Sequence, residues 1–248
     1  MPFDKHLTGL DPSLIHWFDS IDSTMHEAAR LAARGAPNGT IVGAGQQTAG
    51  QGRQGHTWHS ETGNGLYVSF ILRIPVALTE VPIVTLALGL AAAEAITKTG
   101  GIACDLRWPN DVLIDGKKVC GILTQLHGTA IVAGIGINVN HQTFPPEIEP
   151  LATSMRLGSG HPHQREILLG HLAASVQAFT AILVQDGKNA LLRLFENASS
   201  YVRGRRVIVD DTMFGTTAGL NADGFLVLKK DDGSETLILA GGVRPFSS

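Results

Sequence analysis

Gln46-Gln47-Thr48-Ala49-Gly50-Gln51-Gly52-Arg53-Gln54-Gly55-His56-Thr57-Trp58 is the stretch on which the reading of this chain turns. Its glycines let backbone N–H groups approach a ligand, because no Cβ intervenes. Arg53 adds a fixed cationic fork suited to a carboxylate or a phosphate. Trp58 offers a flat apolar face. A loop of this make-up suits an anionic, ring-bearing small molecule. Gly50-x-Gly52-x-x-Gly55 also matches the dinucleotide fingerprint literally, but that fold starts a helix right after the third glycine. Here His56-Thr57-Trp58-His59-Ser60 and Glu61-Thr62-Gly63-Asn64-Gly65 follow, then a strand. A mobile surface loop is the competing reading, since ordinary loops are glycine-rich. Arg53 and Trp58 in one loop tell against it.

Outward from this loop the pattern mixes helices and strands. Asp22-Ser23-Thr24 reads as a helix N-cap, with Glu27 in the first turn and Gly35 and Pro37 ending the helix. Strands are expected over 40–44 and 66–72, then a helix over 81–97 and a short strand over 105–108. Residues 112–126 read as a hairpin turning at Asp115-Gly116, followed by a buried strand over 130–139. Helices over 165–184 and 188–197 follow. Near Ser199–Arg205 the pattern changes to short strands separated by Asn221-Ala222-Asp223-Gly224 and Asp231-Asp232-Gly233. About 45 residues of this kind suggest a small β-barrel, too small to be comfortably stable alone, that docks on what precedes it.

Bulk properties narrow the classes. The 248 residues are 44% hydrophobic and carry a formal net charge of −3 with no polybasic run, so nucleic acid is not the expected partner. Cys104 and Cys120 are the only cysteines, which points to a reducing compartment rather than a disulfide scaffold. Met1-Pro2-Phe3-Asp4-Lys5-His6 lacks the regions of a signal peptide. The apolar stretches 76–95 and 167–184 are interrupted by polar residues and do not read as membrane spans. A soluble, cytoplasmic protein is expected.

Three further clusters bear on chemistry. Arg107-Trp108-Pro109-Asn110-Asp111 leaves a strand end with an amide and a carboxylate. Asp111 there can hold Mg²⁺ with substrate phosphates, or Asn-Asp simply makes a turn. Lys117-Lys118 follows the hairpin turn; strand alternation puts Lys118 with Cys120 and Ile122, and Lys117 with Val119 and Leu123. One lysine can point inward, where only a negative partner justifies burial; two solvated lysines are the alternative. Gly134-Ile135-Gly136-Ile137-Asn138 ends an apolar strand, and its glycines suggest close backbone approach. His161-x-His163 lacks an evident third ligand and reads as a loop rather than a zinc site.

Taken together, Ser23-Thr24, the glycine loop through Trp58, Trp108-Pro109-Asn110-Asp111, Lys118-x-x-Gly121-Ile122-Leu123 and Gly134-x-Gly136-Ile137-Asn138 resemble the biotin protein ligases, from about Trp17 to near the C-terminus. The resemblance implies an α+β fold. A mixed-sheet catalytic domain like that of the class II aminoacyl-tRNA synthetases would span 1–200, and a small SH3-like β-barrel 201–248. It looks like the short, non-regulatory type, expected to be without an N-terminal DNA-binding domain. It further implies ATP, biotin and Mg²⁺. Biotin would be activated as biotinyl-5′-AMP and transferred to a lysine of a biotin carboxyl carrier protein, a subunit of acetyl-CoA carboxylase or another biotin-dependent carboxylase. By the same resemblance Ser23, Thr24 and Gln47 would bind the biotin ring system, beside Met25. Gly50, Gly52 and the Arg53 side chain would cover biotin and the adenylate phosphate. Lys118 would lie against the biotin carboxylate and the α-phosphate, making it and Arg53 the catalytic pair. Gly121, Ile122 and Gly134 would line the biotin pocket, and Trp58 would pack over adenine. Asn138 would contact the nucleotide, while Asn110, with Arg107 before it, and Asp111 would serve phosphates and Mg²⁺.

This chain departs from the commonest family loop, Gly-Arg-Gly-Arg-x-Gly-Arg, by having Gln51 and His56 at the first and third arginines. Arg107 replaces the usual lysine, and Met25-His26 an amide pair. Weaker nucleotide or pyrophosphate binding is expected. Two other functions compete: ligation of lipoate or octanoate, and non-catalytic binding of biotin or biotinyl-AMP. No membrane partner is expected. A second copy of the chain is open as a partner, through the edge of strand 130–139 where that edge is exposed.

Overall fold

The larger sheet is built from β1 (Ile15–Phe18), β2 (Thr40–Ala44), β3 (Gly65–Leu72), β4 (Asp105–Arg107), β5 (Asp111–Ile114), β6 (Lys117–His127) and β7 (Ala130–Asn138). Its order is β1-β2-β3-β7-β6-β5-β4. Only β1 and β2 run parallel; the other neighbours are antiparallel, so the sheet is mixed. These elements come from a computed structural model that describes residues 2–246. Met1, Ser247 and Ser248, which the expected segments 1–200 and 201–248 include, lie outside the described residues.

Strand alternation gives the sheet two different faces. Leu66, Val68, Phe70 and Leu72 of β3 and Ile131, Ala133, Ile135 and Ile137 of β7 turn to one side. There they pack on α2 (Val81–Gly100) and α4 (Arg165–Gln185), with α5 (Lys188–Ala198) alongside. Helix α2 is apolar around its whole circumference because it lies in the core; each fully buried aliphatic side chain contributes roughly 1.5–3 kcal/mol. By length and composition alone α2 and α4 are each long and apolar enough to cross a bilayer; α2 has that character as a mostly buried core helix. The opposite face meets α1 (Thr24–Ala33), whose Met25, Ala28 and Ala32 cover Val42, Ile71, Ala130 and Val132. Helix α1 covers only part of this face, and the remainder is open for a site.

The strands expected over 40–44 and 66–72 and the helix expected over 165–184 form at Thr40–Ala44, Gly65–Leu72 and Arg165–Gln185, and the helix expected to start at Asp22-Ser23-Thr24 and end before Gly35 runs Thr24–Ala33. The hairpin turns at Asp115 and Gly116, both at positive φ, 50° and 77°. Two expectations need correction. Strand β7 has no free edge, because it pairs with β3 on one side and β6 on the other; the sheet's edges are β1 and β4. The C-terminal strands do not close into a barrel. β8 (Arg203–Val209), β9 (Met213–Leu220), β10 (Leu226–Lys229), β11 (Glu235–Ile238) and β12 (Val243–Pro245) form an open sheet of order β11-β10-β9-β8-β12. The chain crosses from β11 to β12 through residues 239–242 without laddering the two, and β12 ends at Pro245, which has no N–H to donate. This sheet shares the main apolar cluster through Val207, Leu226 and Leu228. Trp108 Nε1 also donates to Gly224 O (2.9 Å), tying it to the end of β4.

Candidate functional site

A pocket opens on the α1 face of the sheet, between the start of α1, the glycine loop and strands β6 and β7. Its floor is made by missing side chains. Gly121 and Gly136 are cross-strand partners on β6 and β7, and Gly134 lies opposite Leu123. A Cβ on Gly136 would stand 2.5 Å from Trp58 Cε2, and one on Gly121 would stand 2.7 Å from Trp58 Cζ3. A Cβ on Gly134 would stand 2.7 Å from Met25 Sδ. The indole and the thioether therefore rest directly on the backbone of the two strands.

One end of the pocket is polar and neutral. Gln47 Oε1 accepts from Thr24 N (2.8 Å) and Thr24 Oγ1 (3.0 Å), and Ser69 Oγ lies 2.8 Å from Thr24 Oγ1. Gln47 thus supplies the cap at the start of α1. Ser23 occupies the N-cap position but makes no capping bond; its Oγ is buried and has no hydrogen-bond partner among the described residues. An orphaned buried hydroxyl is costly unless a ligand meets it.

The other end is cationic. Lys118 Nζ lies 2.5 Å from Asp111 Oδ1, and Arg107 Nη2 donates to Asp111 Oδ2 at 2.7 Å. Burial pushes the Asp111 carboxyl up, but the Lys118 and Arg107 cations outweigh it and hold it below the ordinary carboxylate value. Lys118 reaches this side because the β5–β6 register shifts. Val112 faces Cys120 but Leu113 faces Lys118, so Val119 has no partner on β5. That extra residue reverses the alternation and moves Lys118 from the Cys120–Ile122 face to the Gly121 face.

The glycine loop is a lid folded as a small hairpin. Trp58 N donates to Gly50 O (2.9 Å), Gly52 N to His56 O (2.7 Å), and the turn is made at Gln54 and Gly55, with φ of 53° and 77°. Arg53 Nη1 donates to Asn110 Oδ1 at 2.9 Å, and Asn110 Nδ2 donates to Ile122 O at 3.0 Å. Burial lowers the Arg53 guanidinium from its usual value, with Asp111 and Asp210 acting against that shift. Lys118 Nζ sits 5.5 Å from the centre of the Trp58 ring, whose Nε1 is buried without a protein partner among the described residues.

Most of the expected residues meet here. Thr24, Met25 and Gln47 line one wall; Gln51, Gly52, Arg53 and Trp58 form the lid; Asn110, Lys118, Gly121, Ile122 and Gly134 complete the far end and the floor. Asp111 and Arg107 stand behind Lys118 as its counter-ion and that counter-ion's second cation. Gly50 and His56 lie outside the pocket, on the outer side of the lid, where the His56 ring donates from Nδ1 to Arg53 O (2.9 Å). Asn138 does not reach the pocket: its Nδ2 donates to Thr153 O (3.0 Å) and pins the 140–154 segment to β7. Tyr67, which lines the pocket, and Ser69, beside Thr24, were not expected there, whereas the close approach expected at Gly136 is made by Trp58. Alternation along β3 places Tyr67 and Ser69 on the α1 face, and that was the signal available.

Among the described residues no group of three or more His, Cys, Asp or Glu is placed to hold a metal ion. Asp111 alone does not make a resident metal site. A Mg²⁺ carried by substrate phosphates needs only one or two protein carboxylates, and Asp111 at the cationic end suits that use.

Residues 17–141 match the model of the biotin/lipoate A/B protein ligase family. The bifunctional ligase/repressor BirA of Bacillus spizizenii is 36% identical to this chain, over 90% of the chain and 71% of the relative. The biotin–[acetyl-CoA-carboxylase] ligase of Mycobacterium tuberculosis is 31% identical, over 89% of the chain and 84% of the relative. The structure of biotin protein ligase from Aquifex aeolicus in complex with biotin and ATP superposes with a TM-score of 0.83 at 30% identity, covering 94% of this chain and 99% of that one.

Proposed function

The chain belongs to the biotin/lipoate A/B protein ligase family, and on that premise we propose that it is an ATP-dependent biotin protein ligase. It activates biotin as biotinyl-5′-AMP and passes it to a lysine of a biotin carboxyl carrier protein. The observation that carries this reading is the pocket's two unlike ends, joined by a glycine floor. Biotin has the matching form: a neutral ureido ring that donates and accepts, an apolar chain and a terminal carboxylate. The ring faces Thr24, Gln47 and the Ser23 hydroxyl, the chain runs over Gly134 and Gly121, and the carboxylate meets Lys118 and Arg53. Lipoate has no polar atoms on its ring. It would leave the Thr24–Gln47 end unmatched, at a cost of about 1–3 kcal/mol for each buried group left unpaired.

In the first step a biotin carboxylate oxygen attacks the α-phosphorus of ATP, and the bond to pyrophosphate breaks. Lys118 turns from Asp111 to the two reacting anions, offsetting their repulsion and the charge that builds between them. Arg53 closes over the same oxygens. Mg²⁺ bound with ATP would supply positive charge to the departing phosphates, and Asp111 is the residue that would hold it. In the second step the carrier lysine amine attacks the anhydride carbonyl, forming an amide and releasing AMP. The lid keeps water from the anhydride between the steps. We assign this chemistry to residues 1–200, with 201–248 as a C-terminal domain, and place the protein in the cytoplasm, consistent with two free thiols.

The test is incubation with ATP, Mg²⁺, a biotin carboxyl carrier domain and either labelled biotin or labelled lipoate. Biotinylated carrier together with AMP is the expected result. Lipoylated carrier only, or biotin bound without AMP release, overturns the reading.

A further inference from the structure

The lid is fastened at three places. Two of them, the Arg53–Asn110 bond and the seating of Trp58 on Gly121 and Gly136, lie inside the pocket where substrate must also lie. The third runs from Gln51, on the pocket lining, to Asp22 and His26 outside it. Gln51 Nε2 donates to His26 Nε2 at 2.7 Å, and His26 Nδ1 in turn donates to Asp22 Oδ2 at 2.9 Å. The Asp22 carboxylate is fixed through its second oxygen, which accepts from Ser23 N at 2.7 Å. The backbone beside it carries the root of the lid, since Ala49 N donates to Asp22 O (2.8 Å) and Thr48 N to Ile21 O (2.9 Å).

We propose that Asp22 and His26 are positioning residues that act through Gln51 to hold the lid over the adenylate between the two half-reactions. The inference rests on the ligase reading and extends it. The tautomer follows from the partners: the Asp22 carboxylate can only accept, so His26 Nδ1 carries the hydrogen and Nε2 is left to accept from the amide. The relay is therefore directional, from the Gln51 amide through the imidazole to Asp22. His26 sits one helical turn beyond Asp22 at the start of α1, so the helix fixes the spacing of the two. Because neither Asp22 nor His26 lines the pocket, substrate does not compete for the bond between them. The relay holds the middle of the lid, at the Gln51–Thr57 bridge, to the same helix that bears Thr24. A fixed loop charge is not needed for closure at this point.

The test uses the full chain loaded with biotinyl-AMP and follows release of the adenylate after a chase with excess unlabelled biotinyl-AMP. His26→Ala and Gln51→Ala should each speed release about two- to tenfold, the span of one net hydrogen bond. The double variant should be no faster than the faster single one, because the two residues act through each other. His26→Gln, whose amide can still accept from Gln51, should restore most of the retention. A merely structural effect would lower the melting temperature without this non-additivity or this rescue. Release unchanged in both single variants, or additive effects in the double, overturns the relay while leaving the ligase intact. Failure of the unaltered chain to make biotinyl-AMP from biotin, ATP and Mg²⁺ overturns the ligase reading first, and the relay with it.

Discussion

Adding one methyl group to the pocket floor tests the whole arrangement. Gly136→Ala places a Cβ 2.5 Å from Trp58 Cε2 and 2.8 Å from Cζ2 and Nε1. Carbon atoms rest at about 3.5–4.0 Å, so the rigid indole must withdraw by roughly 1 Å. Overpacking of this kind costs about 1–3 kcal/mol. The ring is the lid's seat over the biotin chain, so the cost falls on the closed, liganded state, and biotin affinity should drop by about 5- to 150-fold. Calorimetric titration with biotin measures the drop. The decisive arm is the same substitution in a Trp58→Leu background, where no ring is present to be struck. There the added methyl should change affinity by less than about twofold, giving a coupling near the full overpacking term. If Gly136→Ala costs the same with and without Trp58, the indole is not seated on Gly136 and the account of the floor fails. Gly134→Ala is a further contrast: its Cβ meets Met25 Sδ, the far end of a flexible chain, and should cost less than Gly136→Ala.

Other consequences follow from the two ends of the pocket and the core behind them. Lys118→Ala should lower kcat for adenylate formation by about two to three orders of magnitude. It should also destabilise the fold by up to about 3 kcal/mol by leaving Asp111 with one cation, less than for a fully buried pair because Lys118 is 30% exposed. Adding Asp111→Asn should recover the melting temperature but not the activity; recovery of neither would count against the ion-pair account. Thr24→Val should raise KM for biotin about three- to tenfold with kcat within twofold, because Thr24 binds the unreactive end. A kcat loss without a KM change would reverse the assigned orientation. His141 is fully buried, and burial pushes it down to about 4 from 6.5. The native state thus refuses a proton that the unfolded state accepts, so stability present above pH 6.5 is lost as pH falls toward 4, by roughly 3 kcal/mol. Chemical denaturation from pH 7 to 4.5 should show this fall, and His141→Asn should flatten it. Parallel slopes for the two proteins would refute the role of His141.

What was legible in the sequence was local in origin. Helix α1, the 112–126 hairpin and the glycine loop each announce themselves within a dozen residues, through a cap, a turn dipeptide or a composition. What was not legible depends on partners distant in the chain. Strand β1 is four residues long and exists because it lies beside β2; it is too short to show a period. Asn138 is drawn from the pocket by Thr153, on a segment that returns to lie beside Lys118. Lys118 is the sharpest case. Strict alternation puts it on the core face, and only the unpaired Val119, a product of pairing with β5, turns it to the pocket.

The same division separates the two unusual lid residues. In the sequence Gln51 and His56 look alike, as two places where an arginine charge is missing. In the structure they do different work. His56 is exposed, and its ring supports the carbonyl of Arg53 from the outer side, which fixes the backbone of the loop's remaining cation. Gln51 is half-buried, lines the pocket and ties the lid to α1 through His26. Both have replaced charge with a hydrogen bond that shapes the lid. The electrostatic demand of adenylate formation therefore falls on Arg53, Lys118 and the cation that ATP brings, while retention of the adenylate falls on lid geometry. Added salt should consequently weaken ATP binding more than it speeds adenylate release, since screening acts on the charges that meet ATP more than on the short hydrogen bonds of the relay.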